Sequence, residues 1–322
     1  MKILYFDPKA SNTKNQMYSY YNGTYSELNK KTDITTIRHP IKDINDHVNA
    51  DYDAIVFGIG WFAQEHLGFF QKIDNLSSVK IPVICNMHKV ANQTKEKLHF
   101  IQKNKADLVL MSPGIVDNFS KNYSNIKFEL FPFAAHPTSF YDHGEQRVYD
   151  FGFSGAKHAV DKGGGIKNGF TLEKSLLRTK MTDLVNKEMS TYNFFWNCSD
   201  KPGTLLPEVE YTKLLSASKI WLATESPALE ISPRHFEVIM SKTLLLTNEI
   251  PKPYKEIFRD RETCVEFKND LSNLKEKIQY YLNNENERMQ IVENAHAEFV
   301  NHHTWESRAD YIINFIRGFD GQ

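Results

Sequence analysis

Short apolar runs alternate along this chain with longer segments in which apolar residues recur every three or four positions. Ile3–Phe6, Asp33–Arg38, Ala54–Ile59, Ile81–Asn86, Leu108–Met111 and Phe128–Phe133 read as strands. Helical spacing falls between them, within Lys9–Tyr25, around Gln64–Ile73, and over Thr94–Lys103 and Val116–Lys121. A polar, turn-rich stretch, Phe133–Val148, then interrupts the rhythm. After it come strands at Tyr149–Phe153, Asn193–Trp196, Ile220–Ala223, Thr243–Thr247 and Cys264–Phe267. Helices are predicted at Thr171–Met189, Glu210–Ala217, Pro233–Met240, Asp270–Asn283, Glu285–Phe299 and His303–Phe319. Strands alternating with helices imply an α/β protein with doubly wound parallel sheets. The interruption near residue 140 divides it into two Rossmann-like domains, 1–140 and 141–302, followed by a terminal helix in 303–322. Two such halves facing each other leave a cleft, a favoured place for a ligand.

Composition removes several alternatives. Of 322 residues, 41% are hydrophobic and 25% charged, enough for two ordinary cores. The formal net charge of −1 gives no whole-molecule field for nucleic acid, although it leaves room for peripheral membrane contact. The three cysteines, Cys85, Cys198 and Cys264, are far apart and in no metal-type spacing, as expected of reduced thiols in a cytoplasmic protein. The N-terminal apolar run is too short for a signal segment, and no run approaches the ~18 apolar residues of a membrane span.

Candidate chemistry gathers at predicted strand ends. Ligands of open α/β sheets sit beyond the carboxyl ends of strands and near helix N-termini. In Ser218–Glu249, a strand, a polar loop, a helix and a strand follow one another, with Glu225, Glu230, Arg234 and Glu237 in the loop and first helical turns. Ser232 suits the N-cap and Pro233 the first helical position. Arg234 and Glu237, three apart, share a face: the arginine suits a diphosphate and the carboxylate suits ribose hydroxyls, while a surface ion pair is the plainer alternative. Phe153-Ser154-Gly155-Ala156 reads as a small-residue turn, either one where backbone N–H groups of Ser154 and Gly155 meet an anion or simply a strand-to-helix turn. The Gly- and Lys-rich stretch 157–169 lacks P-loop spacing, but Lys157, Lys162 and Lys167 could reach a phosphate. His88 and Glu65 each follow a strand end and are candidate catalytic groups. Asp51-Tyr52-Asp53 matches a metal–nucleotide D-x-D, yet it precedes its strand and reads as a turn.

The segment Pro233–Glu249, PRHFEVIMSKTLLLTNE, resembles the R-x-F-E…G-x-L-L-L-T segment of the CgeB-like (spore maturation protein type) glycosyltransferases. The tail HAEFVNHHTWESRADYII is similar to their H-T-x-x-x-R-A helix, and FPFAAHPTSFYD to the segment joining their two domains. The resemblance implies a GT-B fold: acceptor on the first domain, donor nucleotide-sugar on the second, and a C-terminal helix crossing back to the first domain. It implies retaining transfer with no bound metal or other cofactor. Glu237 would contact the donor ribose with Arg234 beside it, and His88 would touch the donor sugar. The chain departs from the pattern in carrying Ser241-Lys242 where a glycine is usual and His136 for the hinge Asp. Glu230 and Glu237 enclose six residues rather than the seven of E-x7-E.

The expected function is therefore transfer of a sugar from a nucleoside diphosphate donor to a hydroxyl of a glycan, lipid-linked or protein acceptor. A nucleotide-sugar epimerase of the same fold and a non-catalytic nucleotide-sugar or glycan-binding protein are the alternatives. Nucleic acid is not an expected partner, since duplex affinity rests on cationic phosphate contacts.

Overall fold

The computed structural model describes residues 1–7, 17–38, 51–58, 80–87, 94–157, 172–199, 206–226 and 229–319. They form two compact units, one of Met1–Pro132 with Trp305–Gln322 and one of Phe133–Thr304.

In the first unit, β1 (Lys2–Asp7), β2 (Asp33–Arg38), β3 (Ala54–Phe57), β4 (Val83–Met87), β5 (Leu108–Met111) and β6 (Phe128–Leu130) form a parallel sheet of order β2-β1-β3-β4-β5-β6. Its central strands β3, β4 and β5 are buried on both sides, as a sheet covered on both faces requires. Leu4, Phe6, Ile55, Phe57, Cys85 and Val109 pack to one side, with Leu98 and Ile101 of α2 (Thr94–Lys103) and Phe119 of α3 (Val116–Asn122). Ile3, Tyr5, Val56, Ile84 and Leu110 pack to the other. There they meet Leu28 of α1 (Met17–Lys31) and Ala309, Ile312, Ile313 and Ile316 of α9 (Trp305–Arg317). The terminal helix thus completes the first unit's core. Lys31 bonds Asp310 at 2.6 Å, and Arg308 Nε donates to the Pro132 carbonyl at 2.9 Å.

Gly23 sets the approach of α1 to α9, because a Cβ there would land inside the Trp305 indole. Helix propensity alone would make Gly23→Ala stabilising by ~1 kcal/mol. Overpacking against a buried ring reverses the sign, so a net loss of about 1–2 kcal/mol is expected, read as a lower thermal midpoint.

The second unit has β7 (Tyr149–Ala156), β8 (Phe194–Ser199), β9 (Ser218–Ala223), β10 (Leu244–Asn248) and β11 (Val265–Phe267) in the parallel order β11-β10-β9-β7-β8. Helices α4 (Leu172–Glu188), α5 (Glu208–Ser216), α6 (Pro233–Met240), α7 (Leu274–Asn283) and α8 (Glu285–His302) belong to it. Strand order reverses between β7 and β9, which makes their carboxyl ends the topological switch point.

One expectation is corrected here. Phe153–Ala156 is not a turn: β7 runs through it, with Ser154, Gly155 and Ala156 in register with Asn197, Cys198 and Ser199 of β8. The glycines suggested a turn, but they serve packing. Gly152 leaves room for the Trp221 ring, and Gly155 for two arginines. No described helix is long and apolar enough to cross a membrane.

Candidate functional site

The site is built at the switch point of the second sheet. Beyond Phe153, which pairs with Leu222, β7 continues past the end of its pairing with β9. Arg178, from α4, closes the gap. Its Nε donates to Thr224 Oγ1 just after β9 at 2.9 Å, and its Nη1 donates to the Ala156 carbonyl at the end of β7 at 2.6 Å. The guanidinium also lies 5.8 Å from the Phe153 ring centroid. Arg178 is 6% exposed and, among the described residues, forms no ion pair with a carboxylate.

Arg234 converges on the same spot from the first turn of α6. A Cβ on Gly155 would lie 3.2 Å from Arg178 Nη1 and 3.4 Å from Arg234 Nη1. Burial, and then the neighbouring Arg234 charge, push the Arg178 guanidinium down to about 9, still cationic at neutral pH. Two cations held this close in a poorly solvated place repel each other, and an anion between them would relieve that repulsion.

Helix α6 points the same way. It starts at Ser232, whose backbone is extended (φ −73°, ψ 157°), with Pro233 in the first turn as expected. The Ser232 side chain makes no capping bond; its hydroxyl faces His235 Nδ1 instead. Phe236 anchors the helix against Phe258 and Phe299. The helix N-terminus adds its own positive end to the arginine pair.

Glu237, 2% exposed, lies one turn after Arg234. Burial pushes its carboxyl up to about 7, against the pull of the Arg234 charge and the Tyr211 hydroxyl; the Glu208 charge adds slightly to the rise. Its Oε2 accepts no hydrogen bond among the described residues. A buried carboxylate oxygen with an unused lone pair is suited to a ligand hydroxyl.

The other sequence candidates fall out differently. Gly155 and Arg234 meet, as just described. Ser154 is buried within β7, and the Lys157 backbone N–H extends the ladder to Ser199 at 2.8 Å. Glu230 is buried, and its carbonyl closes a turn by accepting from Ser226 N–H at 2.9 Å, next to Leu229 in a left-handed conformation (φ 61°). His88, Glu65, Lys162 and Lys167 lie outside the described residues. Asp53 of the D-x-D accepts from Lys2 N–H at 2.7 Å and ties down the start of β1. Among the described residues, no three His, Cys, Asp or Glu side chains gather where they could hold a metal ion.

Sequence comparison matches residues 192–314 to the family described as glycosyl transferase-like, a stretch that includes β8–β11 and α5–α8. Comparison with curated proteins gave no match. The whole chain superposes on solved structures. Sucrose-phosphate synthase from Thermosynechococcus elongatus gives a TM-score of 0.63 at 12% identity over 98% of each chain. The E. coli trehalose-6-phosphate structure bound with UDP-2-fluoro glucose gives 0.65 at 7% over 100% of each. T4 phage BGT with its UDP-glucose substrate gives 0.56 at 14% over 99% of this chain and 100% of that one. This is the GT-B fold. In GT-B terms the arginine pair lies in the C-terminal Rossmann-like unit, and the terminal helix returns to the N-terminal one.

Proposed function

We propose that the protein is a glycosyltransferase that takes its sugar from a nucleoside diphosphate donor, a UDP-sugar first among them. The observation that carries this is the convergence of Arg178 and Arg234 on Gly155 at the switch-point edge of the second sheet. Three things support it: the glycosyl transferase-like match, and the UDP-glucose and UDP-2-fluoro glucose bound by two proteins of the same fold.

As the bond from sugar to diphosphate breaks, negative charge grows on the departing oxygen. Arg178, Arg234 and the α6 N-terminus are fixed in place before that happens, so their stabilisation requires no reorganisation. Glu237 accepts from the donor ribose hydroxyls. Retention of configuration, independence from metal, a donor-sugar contact by His88 and a catalytic role for Glu65 complete the proposal, on the resemblance to CgeB-like enzymes. The acceptor is a hydroxyl of a glycan, a lipid-linked sugar or a protein.

A thermal-shift series with UDP and other nucleoside diphosphates tests the reading. Ligand at 100 times its dissociation constant stabilises the native state by about 2.7 kcal/mol. UDP is expected to raise the midpoint, and Arg234→Ala to remove most of that rise with its own unliganded midpoint little changed. A midpoint indifferent to every nucleoside diphosphate at millimolar concentration would sink the proposal. Product analysis without acceptor then separates transfer from epimerisation, since an epimerase converts the donor alone.

A further inference from the structure

His235 sits behind the α6 N-terminus with no accessible surface. Its Nε2 is 3.1 Å from Thr247 Oγ1, at the end of β10. Its Nδ1 is 3.2 Å from both the Ser232 hydroxyl and the Ser232 carbonyl oxygen. Burial pushes the imidazole down to about 3 against the opposing bond to the Ser232 carbonyl, and the Arg234 and Arg178 charges push the same way as burial. The ring therefore stays neutral and carries one proton.

Two arrangements of the local protons satisfy these contacts. In the first, the Ser232 hydroxyl donates to Nδ1, Nε2–H donates to Thr247 Oγ1, and the Thr247 hydroxyl donates to the Asn248 carbonyl at 3.2 Å. In the second, Nδ1–H donates to the Ser232 carbonyl and the Thr247 hydroxyl donates to Nε2. Each places one proton on the Ser232 hydroxyl, one on the His235 ring and one on the Thr247 hydroxyl. In the second, Thr247 turns from the Asn248 carbonyl to the ring, and the Ser232 hydroxyl proton is freed. Ser232 is half-buried, lies two residues before Arg234, and does not spend its side chain on capping the helix.

We infer that His235 is a positioning residue whose tautomer decides whether the Ser232 hydroxyl points inward to the ring or outward to a diphosphate oxygen. This rests on the donor site proposed above and deepens it. An O–H donated to a charged phosphate oxygen is stronger than one donated to a neutral imidazole, so a bound diphosphate selects the Nδ1–H tautomer. The ring proton is then fixed by the ligand, although the ring touches no part of it.

Nitrogen NMR of the full chain with 15N-labelled histidine reads the tautomer directly, because protonated and bare ring nitrogens are well separated. The His235 resonances are assigned by their absence from His235→Gln. Saturation with UDP, or with inorganic pyrophosphate, is expected to shift the tautomer ratio about tenfold toward Nδ1–H. Ser232→Ala removes the donor to Nδ1, so its ring is Nδ1–H with or without UDP, and its UDP affinity falls about fivefold. Saturable UDP binding with an unchanged wild-type ratio, or wild-type affinity in Ser232→Ala, overturns the inference and leaves the donor site standing. Failure of the wild type to bind either UDP or pyrophosphate overturns both.

Discussion

Arg178→Met is expected to lower kcat/KM for the donor by about 10²–10³-fold, the cost typical of losing one fixed donor to a developing negative charge. The melting temperature should move little, for opposing reasons. The change removes two hydrogen bonds, to Thr224 and to the Ala156 carbonyl. It also removes a buried cation that repels Arg234. Replacing a buried charge by an apolar side chain of similar volume is often neutral or stabilising. Methionine keeps the packing against Phe153, whose ring faces the guanidinium. Steady-state kinetics with varied donor, beside a thermal melt of the same preparation, separates the two effects. Turnover within about threefold of the parent would show that Arg178 is a structural bridge between β7 and β9 and nothing more.

Arg178 is the candidate site residue that the sequence does not mark. In α4 it looks like one charge among several on a surface helix. The available signal was its phase: Leu177, Met181, Val185 and Met189 mark the buried stripe, all at 5% exposure or less, and Arg178 lies beside it, one turn before Met181 and Thr182. An arginine on the edge of an apolar stripe is either a snorkelling side chain or a buried group with polar partners, and periodicity alone does not say which. The partners come from Ala156 and Thr224, distant in sequence, and only the sheet order brings them together.

By contrast α6 was legible with its observed bounds, Pro233 to Met240. A proline suited to the first turn, a serine before it and a dense apolar face are local signals, and the adjoining strands are continuous apolar runs. The strand pattern was legible for the same reason, down to Leu108–Met111. Glycine misled the reading at Phe153–Ala156, because a glycine that makes room for a distant side chain looks the same in sequence as one that turns the chain. The Ser232 cap failed in a similar way. Its backbone geometry was foreseeable, but the competing partner, His235 held by Thr247, depends on where β10 ends.

Glu237→Gln should flatten the pH dependence of both stability and donor binding. Folded, the wild-type carboxyl is raised to about 7 from 4.5. The native state therefore holds a proton that the unfolded chain has lost, and stability falls as pH rises through that interval. Between pH 5 and pH 8 this costs the wild type roughly 2–3 kcal/mol that the amide does not lose. The stability difference between variant and wild type should grow by that amount in the variant's favour, whatever constant offset the new side chain introduces. Function should move the other way. The ionised carboxylate is the better acceptor for ribose hydroxyls, so wild-type donor KM should improve as pH rises through about 7, the value to which this carboxyl is raised. In Glu237→Gln that improvement should vanish, and at pH 8 donor KM should stand about tenfold higher than in the wild type, the difference between a charge-assisted and a neutral hydrogen bond. Urea titrations and donor kinetics across the same pH range supply both curves. Parallel stability curves for the two proteins would mean that Glu237 is not held protonated. A pH-independent donor KM in the wild type would mean that its carboxylate does not meet the donor.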